Sequence, residues 1–557
     1  MRKLDPVFGI ALILALIFSL YGIRWGRVEC WNRDEMALRS LHGELRLRPN
    51  EYLKPPFHTI LNYYVVLRPI ERAEYLYKRL SRHKVIFNEV RLLDSRLLVV
   101  AMFLGTIALA FAISREAYGL FAARIVALLF ATSAGFIVFD HFLSCDSPLL
   151  FWMMLSLFFA QRISDSEKIS NYALAAFFAG IATATKYNGL AVGIAIPVAH
   201  LLSKYTRHWY EVFWSRRLAI GLMMVPIGFL AGCPSALFDY RKFAADFIYN
   251  YKVTPHYGGE VAGHSYWGFL TRFDEILGLP GSLLIAAAVV TSLLIIITAR
   301  AFRRRDAVVF ALAASVFLLY FAKFGASPRM ETRFVLPAVP FAILLAGPFF
   351  QKMAAQKAWT CVLLFPIFFY NSLCCFFVGK QFTEDPRMVA QFWIEKQIAP
   401  GSVIESGAGS PHWKMLPGLK VAELYVAKPN WSKNEGNDVI DLRMPHANGR
   451  PDLFAKIFAN DPWIWQHAKE YEGDADEQLF TLDSLEKRNP QVITVYSSDY
   501  EVPSVLVRKY YSDLLEQKFP YDIVFDGKSK EPPRWVYPRV IDHLRGRITI
   551  LARRPGT

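Results

Sequence analysis

Between residues 7 and 378 the chain passes through about eleven apolar runs. They are Val7–Gly26, Arg96–Ile113, Ala122–Phe139, Pro148–Arg162, Tyr172–Thr185, Gly189–Ser203, Leu218–Pro234, Leu279–Ala299, Ala307–Phe324, Phe334–Phe350 and Ala358–Val378. A segment in lipid must satisfy its backbone N–H and C=O groups within itself, so repeated runs of this kind read as transmembrane helices. The 557 residues are 54% hydrophobic and 15% aromatic, more apolar than a soluble globular protein. The expected fold class is a polytopic α-helical membrane protein.

The charges agree with that reading. The formal net charge of +15 would suit a nucleic-acid binder, but the basic residues sit in short clusters between apolar runs. With Arg2 and Lys3 in the cytoplasm, the clusters Arg115/Arg124, Arg162/Lys168, Lys204/Arg207/Arg216/Arg217, Arg300/Arg303/Arg304/Arg305 and Lys352/Lys357 all fall on one side, as the positive-inside rule requires. No nucleic-acid partner is expected. The first run is longer than a signal-peptide core and lacks a small-residue cleavage site. The expected location is the inner or plasma membrane, and an odd number of crossings puts the N-terminus in the cytoplasm and the C-terminus outside.

Everything long then lies on the outer side: loops 29–95 and 234–278, and the tail from 380 to 557. Residues 1–379 form the expected membrane module. The tail mixes short β-like runs (Ser402–Glu405, Gln491–Tyr496, Asp522–Phe525, Arg547–Ala552) with helical stretches (Pro386–Ile398, Asp499–Gln517), the pattern of a small soluble α/β domain. Arg68–Val90 mixes charged and aromatic residues and is expected to lie along the membrane surface. Six cysteines are too few for a disulfide scaffold. Cys30 and Cys145 share the outer face, where a disulfide or two separate thiols are both compatible with the sequence.

Polar residues from distant segments gather at the outer boundary: Arg33, Asp34, Glu35, Arg39 and Lys54; Asp140, His141 and Asp146; Lys186; His256 and His264; Arg329, Glu331 and Arg333. Cations there suit a phosphate, through charge-assisted hydrogen bonds, and a carboxylate suits a general base. Both are needed to move a sugar from a polyprenyl-phosphate carrier whose tail stays in the bilayer.

Several strings carry a family resemblance. Trp31-Asn32-Arg33-Asp34-Glu35, Leu53-Lys54-Pro55-Pro56-Phe57, Cys145-Asp146-Ser147-Pro148-Leu149-Leu150, Gly180–Gly189 with Thr185-Lys186, and Arg333-Phe334-Val335-Leu336-Pro337-Ala338-Val339-Pro340 together resemble the GT-C glycosyltransferases. The branch is that of the protein O-mannosyltransferases and lipid A aminoarabinose transferases, and the resemblance spans Met1–Val378. It implies a GT-C fold and an inverting transfer from a polyprenyl-phosphate sugar to a lipid, glycan or protein acceptor. It also implies Asp34 as catalytic base, Glu35 as its neighbour orienting an Arg or a metal, and Asp146 positioning the acceptor. Lys54 would contact the donor phosphate, and Lys186, Arg333, Arg329 and His264 would contact phosphate or sugar. The sequence departs from the pattern where Tyr187-Asn188 separates Lys186 from Gly189, and in the charged insert around Arg68–Arg91.

Each candidate also has a plainer reading. An Asp-Glu pair in a loop is often solvated or a helix cap. Asp146 fits the N-cap of a helix starting at Ser147-Pro148, and Lys186 and Arg333 fit snorkelling interface residues. Asp34, Glu35 and Asp146 offer oxygen ligands to a divalent cation, which is the one cofactor candidate, but the nearby cations can neutralise phosphate without one, so a metal-independent site is the expectation. Two alternatives remain: an oligosaccharyltransferase or ligase with a diphosphate-linked donor, and a lipid-glycan transporter. No inverted repeat supports the transporter.

Overall fold

The computed structural model describes residues 5–26, 35, 52–81, 88–166, 168–203, 215–253, 265–298, 304–327, 330–399, 401–407, 420–424, 479–500, 505–538, 541, 544 and 546–554. Each of the eleven apolar runs is helical over most of its described residues, some in jointed pieces. The first elements are α1 (Pro6–Leu20), α2 (Phe57–Asn62), α3 (Arg68–Ser81), α4 (Asn88–Tyr118), α5 (Leu120–Ala131), α6 (Ala134–Asp140), α7 (Asp146–Ile163), α8 (Ile169–Thr185) and α9 (Ala195–Leu201). Helices follow over Arg216–Gly232, Tyr240–Val253, Leu279–Thr298, Arg304–Gly325 and Lys357–Thr383, with a jointed run over Thr332–Met353. Among the described residues five helices are long and apolar enough to cross a membrane, or six if the α5–α6 pair, bent by 56°, is one span.

The joints have local causes. The run from 120 to 140 breaks at Thr132-Ser133, where both hydroxyls turn back onto carbonyls of the preceding turn, the competition that bends helices. The segment after Lys186 starts as a 3-10 helix, Tyr187–Ile194, before α9. The amphipathic stretch ends as a helix at Ser81; its last residues, from Asn88, begin α4 instead.

Helix α8 and the Arg216–Gly232 helix pack backbone to backbone. A Cβ at Gly180 would collide with the backbone at Val225 and Phe229, and one at Gly228 with the carbonyl of Phe177. Small residues that let backbones touch are how helices associate where lipid removes the hydrophobic drive.

The C-terminal region carries a five-stranded sheet, order β2-β1-β3-β5-β4, with β1 Val403–Gly407, β2 Lys420–Leu424, β3 Val492–Tyr496, β4 Tyr521–Lys528 and β5 Arg547–Arg553. β1 pairs parallel with β2 and β3, while β5 pairs antiparallel with β3 and β4. All five residues of β3 are buried, so both faces of the sheet are covered. Ile493 and Val495 pack with the Val505–Leu515 helix, and Val492 and Tyr496 with the Pro386–Gln397 helix. The alternation is the period-two consequence of a strand. Val536, Ile541 and Leu544 belong to the core of the membrane bundle, and the hydroxyl of Tyr370 donates to the Trp535 carbonyl at 2.5 Å. The two regions are therefore packed together.

Candidate active site

Three polar arrangements meet at one end of the bundle. The first centres on Glu35, the described member of the acidic pair. Its carboxylate accepts from Arg96 Nε (Oε1, 2.9 Å) and Nη2 (Oε2, 2.9 Å), a bidentate pair. Both side chains are buried, at 0% and 1% exposure. The backbone N–H of Leu143 donates to the same carboxylate at 2.8 Å. Arg96 Nη1 donates to the carbonyls of Ile23 (2.7 Å) and Trp25 (2.5 Å). One guanidinium thus holds the end of the first helix, the first long loop, α4 and the loop leading to Asp146.

This clamp continues into the C-terminal region. The Trp25 indole N–H donates to Asp385 Oδ2 at 2.8 Å. Asp385 also receives the Arg387 guanidinium at 2.7 Å and caps the helix starting at Pro386. Arg387 lies over the rings of Trp25 (5.1 Å) and Tyr496 (4.8 Å).

The second arrangement is the ion pair between Lys186 Nζ and Asp146 Oδ1, at 2.5 Å. Asp146 is nearly buried and Lys186 keeps 16% of its side chain exposed. Lys186 can reach because it ends α8 in an extended conformation, φ −156° and ψ 133°. Its ammonium lies 5.6 Å from the Phe334 ring centroid, and Arg333 lies over the same ring at 5.4 Å. Arg333 in turn pairs with Glu331 at 2.5 Å.

The third arrangement is a strap that carries Lys54. The Tyr187 hydroxyl donates to the Tyr52 carbonyl at 2.7 Å, and the Tyr52 N–H donates to Asp246 Oδ2 at 2.7 Å. Asn250 donates to the Leu53 carbonyl. Pro55 and Pro56 are buried beyond it, while Lys54 is exposed. Because Tyr187 follows Lys186, the strap and the Asp146–Lys186 pair are joined by one peptide bond. The Tyr187-Asn188 departure therefore has a use: it anchors the Lys54 segment.

The structure corrects three expectations. Asp140 and His141 do not line the site; both are fully buried. Asp140 accepts from the hydroxyls of Ser19 (2.9 Å) and Ser147 (2.7 Å), and both ring nitrogens of His141 face backbone carbonyls, of Ile137 and Tyr21. Asp146 is no N-cap: α7 begins at Asp146 itself, after Cys145, because its carboxylate is turned to Lys186. Glu35 has both oxygens on Arg96, and Asp146 faces Lys186. Among the described residues no cluster of His, Cys, Asp or Glu fits a metal ion. Asp34, Arg33, Arg39, His256, His264, Arg329 and Cys30 lie outside the described residues.

Arg96, Trp25, Asp246 and Asp385 were not singled out by the sequence reading. Arg96 stands at the head of an apolar run and reads as its boundary. The usable signal is that an Arg entering an apolar helix needs a carboxylate partner, and the first long loop supplies one.

The fold defines the class: this chain has the GT-C glycosyltransferase fold. Residues 84–229 match the family described as dolichyl-phosphate-mannose-protein mannosyltransferase. Along nearly its whole length the chain is similar to the crystal structure of ArnT from Cupriavidus metallidurans bound to undecaprenyl phosphate: 14% identity, 98% of this chain and 97% of that chain covered, TM-score 0.51. The apo form of the same protein gives 15% identity, 97% coverage of each chain and a TM-score of 0.50. A structure of the Archaeoglobus fulgidus oligosaccharyltransferase tethered to an acceptor peptide gives 11% identity, coverage of 95% and 80%, and a TM-score of 0.49. Among the curated proteins nothing matches.

Proposed function

We propose that this chain is an inverting glycosyltransferase that takes a sugar from a polyprenyl-phosphate donor and passes it to a lipid, glycan or protein acceptor at the outer face of the membrane. The observation that carries this reading is the junction at Lys186-Tyr187. It ties the strap that carries the exposed Lys54 to the segment that carries the Asp146–Lys186 pair, on a fold shared with a protein whose crystal structure holds undecaprenyl phosphate.

In the proposed reaction the acceptor oxygen attacks the anomeric carbon. The bond from that carbon to the phosphate oxygen breaks, the lipid monophosphate leaves with the electron pair, and Asp34 takes the acceptor proton. A single displacement inverts the anomeric centre. Lys54 balances the phosphate charge that develops on the leaving group. Lys186 and Arg333 add positive charge, each tempered by a carboxylate, and Asp146 fixes Lys186. Arg329 and His264 are further contacts proposed from the sequence. Glu35 is a positioning residue: its oxygens are committed to Arg96, and it holds the loop that carries Asp34. Residues 380–557 form the outer domain in this reading, with the N-terminus cytoplasmic.

The test is transfer from a panel of polyprenyl-phosphoryl sugars by the purified protein in lipid nanodiscs. A covalent sugar product with equimolar lipid monophosphate supports the reading. Turnover only with diphosphate-linked donors, or lipid movement without a covalent product, overturns it.

A further inference from the structure

Helix α2 follows Lys54-Pro55-Pro56 directly and carries two buried polar side chains that the site described above does not use. His58 is 4% exposed and Asn62 1%. Both ring nitrogens of His58, and both the amide nitrogen and oxygen of Asn62, lack a hydrogen-bond partner among the described residues. Four residues apart on one helix, they present to the same face. Buried polar atoms are nearly always paired, because leaving them unpaired is costly. Four at once on a six-residue helix indicate a place built to be filled.

The neighbourhood points the same way. Phe57 packs edge-on against Trp152 of α7, ring centroids 5.6 Å apart, and the Trp152 indole N–H also lacks a partner among the described residues. A Cβ at Gly232 would lie 3.0 Å from the Phe57 ring, and Gly232 packs on Ala184 just before Lys186. Immediately after Asn62 the helix widens into a π-helical stretch, Tyr63–Leu67, a distortion frequent at functional sites.

The chemistry of the groups selects the ligand. Burial pushes the His58 imidazole down to about 4, so near neutral pH it is uncharged, with one donor and one acceptor nitrogen. Asn62 adds a donor amide and an acceptor oxygen. An uncharged set that both donates and accepts matches hydroxyl groups, not a phosphate, and the cation for the phosphate is already at hand in Lys54.

We propose that His58 and Asn62 form the subsite that binds the hydroxyls of the sugar on the lipid-phosphate donor, four residues beyond the proposed phosphate contact at Lys54. The inference rests on the glycosyl-transfer reading and deepens it by separating sugar recognition from phosphate recognition.

The experiment measures binding of bare undecaprenyl phosphate and of undecaprenyl-phosphoryl monosaccharides to the full chain in nanodiscs. The wild type is expected to bind one sugar-bearing lipid about tenfold or more tighter than the bare lipid, as two or three good hydrogen bonds allow. His58→Phe and Asn62→Leu should bring that ratio to about one, with bare-lipid affinity unchanged within about twofold and with no loss of thermal stability, since apolar groups replace unpaired polar ones. His58→Gln, which keeps hydrogen-bonding capacity, should retain part of the preference and serves if the Phe variant does not fold. A sugar preference untouched by these substitutions, or none in the wild type, overturns the inference while bare-lipid binding leaves the glycosyl-transfer reading standing. Failure of the wild type to bind any of these lipids overturns both.

Discussion

Breaking the Glu35–Arg96 clamp from one side should cost more than removing it whole. Arg96→Met leaves the Glu35 carboxylate buried at 0% exposure with only the Leu143 N–H on it, and leaves the Ile23 and Trp25 carbonyls without their donor. Removing one partner of a fully buried pair typically costs about 3–5 kcal/mol. Glu35→Gln leaves the converse, a buried guanidinium facing a neutral amide, and should cost about 3–5 kcal/mol, much of it the penalty of the unpaired charge. The double variant, Glu35→Gln with Arg96→Met, carries no buried charge at the site, so its loss should be smaller than that of Arg96→Met alone. Thermal unfolding in matched nanodiscs gives the ranking, and single-turnover transfer should fall in all three variants, because each removes the hold on Glu35, the neighbour of the proposed base. An Arg96→Met variant as stable as wild type, or a double variant no more stable than Arg96→Met, would refute this account of the clamp.

Lys54→Ala should weaken binding of bare undecaprenyl phosphate by about tenfold, the scale of one charge-assisted contact, and added salt should narrow the difference, since Lys54 is exposed; titration with the lipid at two ionic strengths checks both. Gly180→Val should destabilise the bundle by about 1–3 kcal/mol or more through overpacking against Val225 and Phe229. Gly193→Ala, where a Cβ would meet nothing within 4 Å, should be neutral or slightly stabilising in the same melt.

The helices were legible because an apolar run in lipid has few ways to satisfy its backbone, and the β-like runs Gln491–Tyr496 and Arg547–Ala552 were legible because their residue types favour a buried sheet. The joints at Thr132-Ser133 and Lys186-Tyr187 were not, since they depend on hydroxyl back-bonds and on where one lysine finds its carboxylate. Asp146 illustrates the limit: its place before Ser147-Pro148 is locally a cap, and only Lys186, forty residues on, redirects it. Long-range partners were the least legible. Glu35 and Arg96 are 61 residues apart and Trp25 and Asp385 are 360 apart, and no local pattern encodes such pairs. Asp140 and His141 misled because a polar residue near a helix end reads the same whether it faces the site or its own backbone.

The central claim is transfer from a lipid monophosphate donor with Asp34 as base. The direct measurement is single-turnover release of lipid monophosphate, with the accompanying sugar product, by wild type and by a folded Asp34→Asn variant in nanodiscs. The account predicts one lipid phosphate per sugar transferred by the wild type. It predicts a loss of about 10²–10⁴-fold in Asp34→Asn, the range expected for a missing general base, with bare-lipid affinity retained. Wild-type rates in Asp34→Asn would contradict the base assignment, and lipid translocation without sugar transfer by the wild type would contradict the account as a whole.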